Sequence, residues 1–200
     1  YRFGYIMVAR KDLPQGSLAE IVAAAKANPG SISIATAGVG TGQHLVAAAF
    51  MKAAGVRLQE VPYKGSPPAF TDLLAGRIDL FFDSIAAGLP YVQSGQARGI
   101  AVLSSKRSAQ APDVPTMSEA GVSGLDVDSW LGIFVPARTP PEIVAKLRSD
   151  IRAVLPDLKE RFERSGGEVF DLPNDKLDAF VKSEYDAWTK LIREAGIKLD

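Results

Sequence analysis

Val61-Pro62-Tyr63-Lys64-Gly65-Ser66-Pro67-Pro68-Ala69-Phe70, running on to Asp83-Ser84, reads as strand, loop, helix, strand and loop. Residues 58–63 are a short mixed run that ends in the polar loop 64–67. Residues 69–75 have helical spacing, with Phe70, Leu73 and Leu74 on one face. Gly76 stands where a helix turns off through the left-handed region. Residues 78–82 are continuously apolar, as in a strand covered on both faces. In open α/β sheets, ligands sit beyond the carboxyl ends of such strands. Tyr63, Lys64 and Gly65 fall at one such end, and Asp83 and Ser84 at the next. One loop offers a phenol, an ammonium and free backbone N–H groups; the other offers a carboxylate and a hydroxyl. That set suits a small polar ligand, above all an anion.

The same alternation continues outward. Residues 5–10 and 32–37 read as strands. Between them Ser17 and Glu20 form a capping box for a helix that Pro29-Gly30 ends. A glycine loop, 38–42, leads into an apolar helix over 43–54 closed by Gly55. Residues 84–94 read as helix despite Gly88 and Pro90, and 97–104 as strand. Thr116 and Glu119 form a second capping box, opening a short helix that ends at Gly121. Beyond a polar stretch at 122–129, residues 130–136 read as a strand. Thr139-Pro140-Pro141-Glu142 opens a helix to residue 155, and Pro156 starts another that ends at Gly166-Gly167. Residues 168–172 read as a short strand, and Asn174 caps a long amphipathic helix stopped by Gly196. Alternating strands and helices predict an α/β fold with a largely parallel sheet. Strand density drops after residue 122, so 5–121 reads as a complete unit and 130–200 as half of another, joined by 122–129.

Two hundred residues at 46% hydrophobic can bury a core. Lys plus Arg, 23, balances Asp plus Glu, 23, which argues against a broad electrostatic footprint for nucleic acid or anionic membrane. There is no cysteine, hence no disulfide framework or thiolate chemistry. No apolar run approaches the roughly 20 residues that span a bilayer, and no signal-peptide pattern is present.

The glycine loop, following Ala37, is the second candidate site. Gly38, Gly40 and Gly42 join a strand to a helix, where N–H groups and the helix dipole favour an anion. It is not a dinucleotide fingerprint, because Gln43 stands where the last glycine belongs, and no Gly-Lys-Ser/Thr makes it a P-loop. A glycine-rich turn without a ligand is the plain alternative. His44 is the only histidine, and a lone histidine fits no metal motif. It either steadies the loop by hydrogen bonding or touches a ligand. Lys64 either lines the site or points to solvent, and Tyr63 either lines the site or packs at a strand end. Asp83 follows a buried strand and needs a partner. No metal or cofactor is expected.

Several separated motifs, in order, resemble one family. They are 62–83 (PYKG…DLLAGRIDL.FD), 98–121 (RGIAVLSSKRS…PDVPTMSEAG), 130–140 (W.GIFVPARTP), and upstream Pro29-Gly30 and 37–44. This order is similar to that of the periplasmic solute receptors of tripartite tricarboxylate transporters, the Bug-type receptors. The resemblance implies a type II periplasmic-binding-protein-like fold whose two lobes close on a carboxylate solute. It implies that 5–121 is the complete second lobe, 122–129 the crossover and 130–200 the C-terminal part of the first lobe, with a further N-terminal segment before Tyr1. In the family, the glycine loop holds a ligand carboxylate through backbone amides and a hydroxyl; Gly40, Thr41 and Gly42 take those places here. Thr41 and Gly42 depart from the commoner serines, although Thr41 keeps an Oγ. The implied ligand-binding set is Ala37, Gly38, Gly40, Thr41, Gly42, His44, Tyr63, Lys64, Gly65, Asp83 and Ser84. The implied partners are a small carboxylate and membrane permease subunits, in the periplasm, with no nucleic acid. A dimer is expected because the first lobe is incomplete. A ligand-sensing effector domain of a transcriptional regulator is the alternative, which a preceding helix-turn-helix rather than a signal peptide would mark. An enzyme acting on small carboxylates needs a base, metal or nucleophile; Asp83 and His44 are the only candidates, and nothing in the sequence pairs them.

Overall fold

The computed structural model describes residues 1–164 and 166–196. The expectation for 197–200 as part of the C-terminal portion lies outside them. The elements are β1 (Arg2–Arg10), α1 (Leu18–Ala27), β2 (Ser33–Thr36), α2 (Gly42–Ala54), β3 (Gln59–Pro62), α3 (Ser66–Leu74), β4 (Leu80–Ser84), α4 (Ile85–Gln93), β5 (Ala97–Val102), β6 (Asp128–Trp130), α5 (Pro141–Arg164), β7 (Gly167–Glu168) and α6 (Asn174–Ala195).

The main sheet runs β3-β2-β4-β1-β5. Strand alternation splits its side chains between two faces. Tyr5, Met7, Leu80 and Phe82 join Ile21 and Phe50 in one core, while Ile6, Val8 and Phe81 join Phe70, Leu73 and Leu89 in the other. Both faces are covered, which is why β1 and β4 read as continuous apolar runs. The aromatic rings meet edge to face, Phe50 with Phe82 at 5.6 Å and Phe70 with Phe81 at 5.2 Å.

The sheet is mixed, not largely parallel. β2 is parallel to β3 and β4, but β1 is antiparallel to β4 and β5. Apolar periodicity reports burial and carries no strand direction, so the sequence pattern missed this. β1 also leaves the main sheet: Arg2, Phe3 and Gly4 pair antiparallel with β6, and Arg2 and Phe3 with β7.

Other expectations need correction. Pairing of the expected strand 130–136 stops at Trp130, after which the Leu131 N–H donates to the Tyr1 carbonyl and the chain continues exposed. An apolar run without a neighbour to pair with is not a strand. α5 continues through Pro156 because helical φ suits proline and the loss is one hydrogen bond on an exposed face. Thr116 and Glu119 do form a reciprocal cap, with Thr116 N–H donating to Glu119 Oε2 at 2.8 Å and Glu119 N–H to Thr116 Oγ1 at 3.1 Å. It closes a single turn rather than a helix, and the Met117 N–H is taken by the Val102 carbonyl. The strand expected over 168–172 is the two-residue β7.

At the end of the sheet where β2 and β4 begin, Asp79 straps three strands together. Its Oδ1 accepts from Arg10 Nε at 2.8 Å, and its Oδ2 accepts from the Ser33 N–H and hydroxyl, each at 2.8 Å. Burial works to raise the Asp79 carboxyl. The Ser33 amide, the Arg10 guanidinium and the Ser33 hydroxyl outweigh it and hold the group below the ordinary aspartate value.

Candidate functional site

Parallel β2, β3 and β4 all end on one edge of the sheet, so α2, α3 and α4 all start there. Three positive helix ends converge on that edge. None of the three helices has an acidic residue in its first turn. The other three helices each carry one: Glu20 in α1, Glu142 in α5 and Asp175 in α6. α1 starts at the opposite edge, because it follows the C-terminal end of antiparallel β1.

The loop from β2 to α2 is built from glycine for conformational and steric reasons. Gly38 and Gly40 have φ of +125° and +79°, which side chains disfavour. At Gly42 the reason is space: a Cβ there would lie 2.2 Å from the Tyr5 hydroxyl oxygen. Thr41 is the N-cap of α2. Its Oγ1 accepts from the His44 N–H at 3.4 Å and donates to the Gly38 carbonyl at 2.7 Å. His44 Nδ1 accepts from the Gly40 N–H at 3.1 Å, and Nε2 lies 3.6 Å from Glu60 Oε1. The expected donors Gly40 N–H and Thr41 hydroxyl are therefore engaged within the loop. Gly42 and Gln43, the first two residues of α2, have N–H groups with no intrahelical acceptor.

The second loop is tied to the first. The Tyr63 N–H donates to the Thr36 carbonyl at 2.9 Å, and the Gly65 N–H to the Ala37 carbonyl at 3.1 Å. These two amides are not free, contrary to the sequence-based expectation, because the β2–β3 ladder extends past both strands. Tyr63 Oη donates to Asp72 Oδ2 at 2.8 Å, on α3. Burial, and then this bond, push its phenol up to about 12. Lys64 is exposed, and no ion pair of its ammonium is found among the described residues.

Asp83 is 2% exposed. Its Oδ1 accepts from Gln43 Nε2 at 3.1 Å and from the Ser84 N–H at 2.8 Å; Oδ2 is buried without a partner. Burial raises this carboxyl, against the Ser66 hydroxyl, the Ser84 amide and the Gln43 amide, which favour the charged form. The Ser66 hydroxyl acts on Asp83 without reaching hydrogen-bond geometry to Oδ2. Ser84 caps α4, accepting from the Ala87 N–H at 3.3 Å. Tyr5, raised by burial, feels Ser129 and Asp83 as well. The sheet edge thus gathers Gly42, His44, Asp83 and Ser84 from the expected set. Tyr63 instead gives its hydroxyl to α3, and Lys64 stands in solvent. Sequence reading missed Tyr5, Gln43 and Ser66. Gln43 and Ser66 had a signal, each being a polar residue in the first turn of a helix that follows a parallel strand. Tyr5 had none. Among the described residues, no cluster of acidic or histidine side chains could hold a metal, and no helix is long and apolar enough to cross a membrane.

A family profile described as "Tripartite tricarboxylate transporter family receptor" matches residues 2–197. Protein BugT of Bordetella pertussis is 33% identical over 196 residues, covering 97% of this chain and 60% of BugT. The structure of R. palustris Rpa4515 with adipate superposes with a TM-score of 0.91 at 31% identity, covering 98% of this chain and 66% of that one. The structure of the periplasmic binding protein BugD gives 0.90 at 35% identity, covering 98% and 67%. The chain spans 60% of the length of BugT, and 57% of another curated relative, from Pseudomonas sp. strain P51.

Proposed function

The chain belongs to the tripartite tricarboxylate transporter receptor family, and on that premise we propose that it is the solute-capturing part of a periplasmic carboxylate receptor. The fold is that of the periplasmic binding proteins, and the family and fold are those of solute-binding receptors. The reading rests above all on one observation: three helices start at one sheet edge, and none has an acid in its first turn. That edge favours an anion. A relative of near-identical fold, described with adipate, supports a carboxylate as the anion.

In this reading residues 5–121 form one wall of a cleft, 122–129 the crossover and 130–196 part of the other lobe. The ligand carboxylate lies against the N–H groups of Gly42 and Gln43, with Thr41, His44, Asp83 and Ser84 holding that surface in shape. Closure of the lobes over the ligand is favoured by the difference in affinity between closed and open forms. The closed form then docks on the permease subunits. Calorimetric titration of the intact protein with adipate and succinate tests the proposal. Saturable 1:1 binding of at least one, with a bound-mass increment in native mass spectrometry, is expected. A protein that binds neither, and carries no organic acid on purification, is not a carboxylate receptor.

A further inference from the structure

The first turns of α1 and α2 are built to one plan. In α1, the N-cap Ser17 accepts from the Glu20 N–H at 3.3 Å, and Glu20 Oε2 reaches back to accept from the Gly16 N–H at 2.5 Å. In α2, the N-cap Thr41 accepts from the His44 N–H at 3.4 Å, and His44 Nδ1 reaches back to accept from the Gly40 N–H at 3.1 Å. In each helix the third residue closes the cap on the glycine before the N-cap, a variant of the capping box in which that third residue is usually Glu or Gln. In α1 the acceptor is an anion; in α2 it is an uncharged imidazole nitrogen. Glu60 Oε1, 3.6 Å from Nε2, favours the tautomer with the proton on Nε2, which leaves Nδ1 free to accept.

We infer that His44 sets the anion selectivity of the site by closing the α2 cap without a negative charge. The inference rests on the reading of the 38–44 loop as the carboxylate site. A glutamate at 44 would serve the helix equally well, as Glu20 does in α1, but it would put a carboxylate at the helix end where the ligand carboxylate has to lie. The turn already has one buried carboxylate beside it, Asp83, bound through Oδ1 to Gln43, so a second at residue 44 would add to the negative charge the ligand has to face. His44 is therefore a positioning residue: it fixes the loop and adds no negative charge to the helix end, without itself holding the ligand.

Two unit charges about 5 Å apart at an effective dielectric of about 20–40 repel enough to weaken binding roughly 15- to 300-fold. The test compares His44→Glu, His44→Gln and His44→Ala in the intact protein, by thermal unfolding without ligand and by calorimetry with adipate and succinate. His44→Glu is expected to unfold at or above the parent temperature while its carboxylate affinity falls at least about tenfold. His44→Gln, an uncharged acceptor, unfolds near the parent temperature and loses less affinity than His44→Glu. His44→Ala lowers the unfolding temperature, and hydrogen exchange at the Gly40 amide speeds up in that variant alone. A merely structural role cannot separate affinity from stability in His44→Glu. If His44→Glu binds as tightly as the parent, or unfolds, the inference is overturned while the carboxylate reading stands. If the parent binds neither dicarboxylate, the reading and the inference fall together.

Discussion

The runs Tyr5-Ile6-Met7-Val8-Ala9 and Leu131-Gly132-Ile133-Phe134-Val135 are both five apolar residues long and have opposite fates. The first lies inside the main sheet between β4 and β5, with no residue more than 3% exposed. The second forms no strand, and its Leu131, Ile133 and Phe134 are 66%, 78% and 68% exposed. The same contrast runs on into the helices. α2 buries a continuous stripe including Val46 and Phe50, whereas α5, more than twenty residues long, buries nothing among the described residues. Apolar sequence alone does not make a core. It becomes one where the backbone has neighbours on both sides and helices above and below, as β1 has in β4 and β5.

The contrast is open to direct attack. The largest effect is expected from truncating one ring in each region. Phe81→Ala should lose about 3–5 kcal/mol, because Phe81 is fully buried. Phe134→Ala should stay within about 0.5 kcal/mol. Urea unfolding of both variants measures this, and equal losses would erase the distinction.

The next largest effect concerns polar groups in the two regions. Asp79→Ala removes three bonds to a carboxylate that straps β1, β2 and β4, and should cost about 2–3 kcal/mol at neutral pH. Because the folded carboxyl lies below its ordinary value of 3.8, the contribution is fully present above that value and lost as pH falls through the folded pKa. The difference between parent and variant should therefore close in acid, as followed by unfolding at a series of pH values. A difference that persists undiminished would mean the strap does not act through its charge.

Smaller still is the effect of size at the site edge. Gly42→Ser puts a Cβ against the Tyr5 hydroxyl and should cost about 1–2 kcal/mol. Tyr5→Phe in the same protein should recover most of that loss, since the ring carbon would remain 3.3 Å away. No recovery in the double variant would place the strain elsewhere. The smallest effect is expected in the exposed region. Arg152 and Asp171 are bonded, but their side chains are 42% and 43% exposed, so Asp171→Ala should cost less than about 1 kcal/mol and less again in salt.

What the sequence revealed was local. Ser17 with Glu20, Gly55 after α2 and Gly76 after α3 mark helix ends because caps depend on residues three or four apart. The position of Asp83 at the end of a buried strand was readable for the same reason: an apolar run stops and a carboxylate follows. What it hid was relational. The direction of β1, the approach of Tyr5 to Gly42, and the Tyr63 hydroxyl on Asp72 all depend on where distant segments lie, and no spacing records that. His44 falls between the two cases. Its cap on Gly40 is local and could be expected, but its value as an uncharged cap appears only once three helix ends are seen to meet.

The placement of β1 also bears on how the chain acquires its fold. It is the first of the described strands, yet its partners are β4, β5, β6 and β7. Tyr5 pairs opposite Ser84, Ile6 opposite Val102 and Arg2 opposite Glu168. During synthesis this strand emerges before all four of these partners and must wait for segments made later. Such long-range pairing is slow to nucleate and leaves an apolar strand open to wrong partners meanwhile. A strand whose middle is buried in the finished sheet is thus one that needs protection while the sheet is being made.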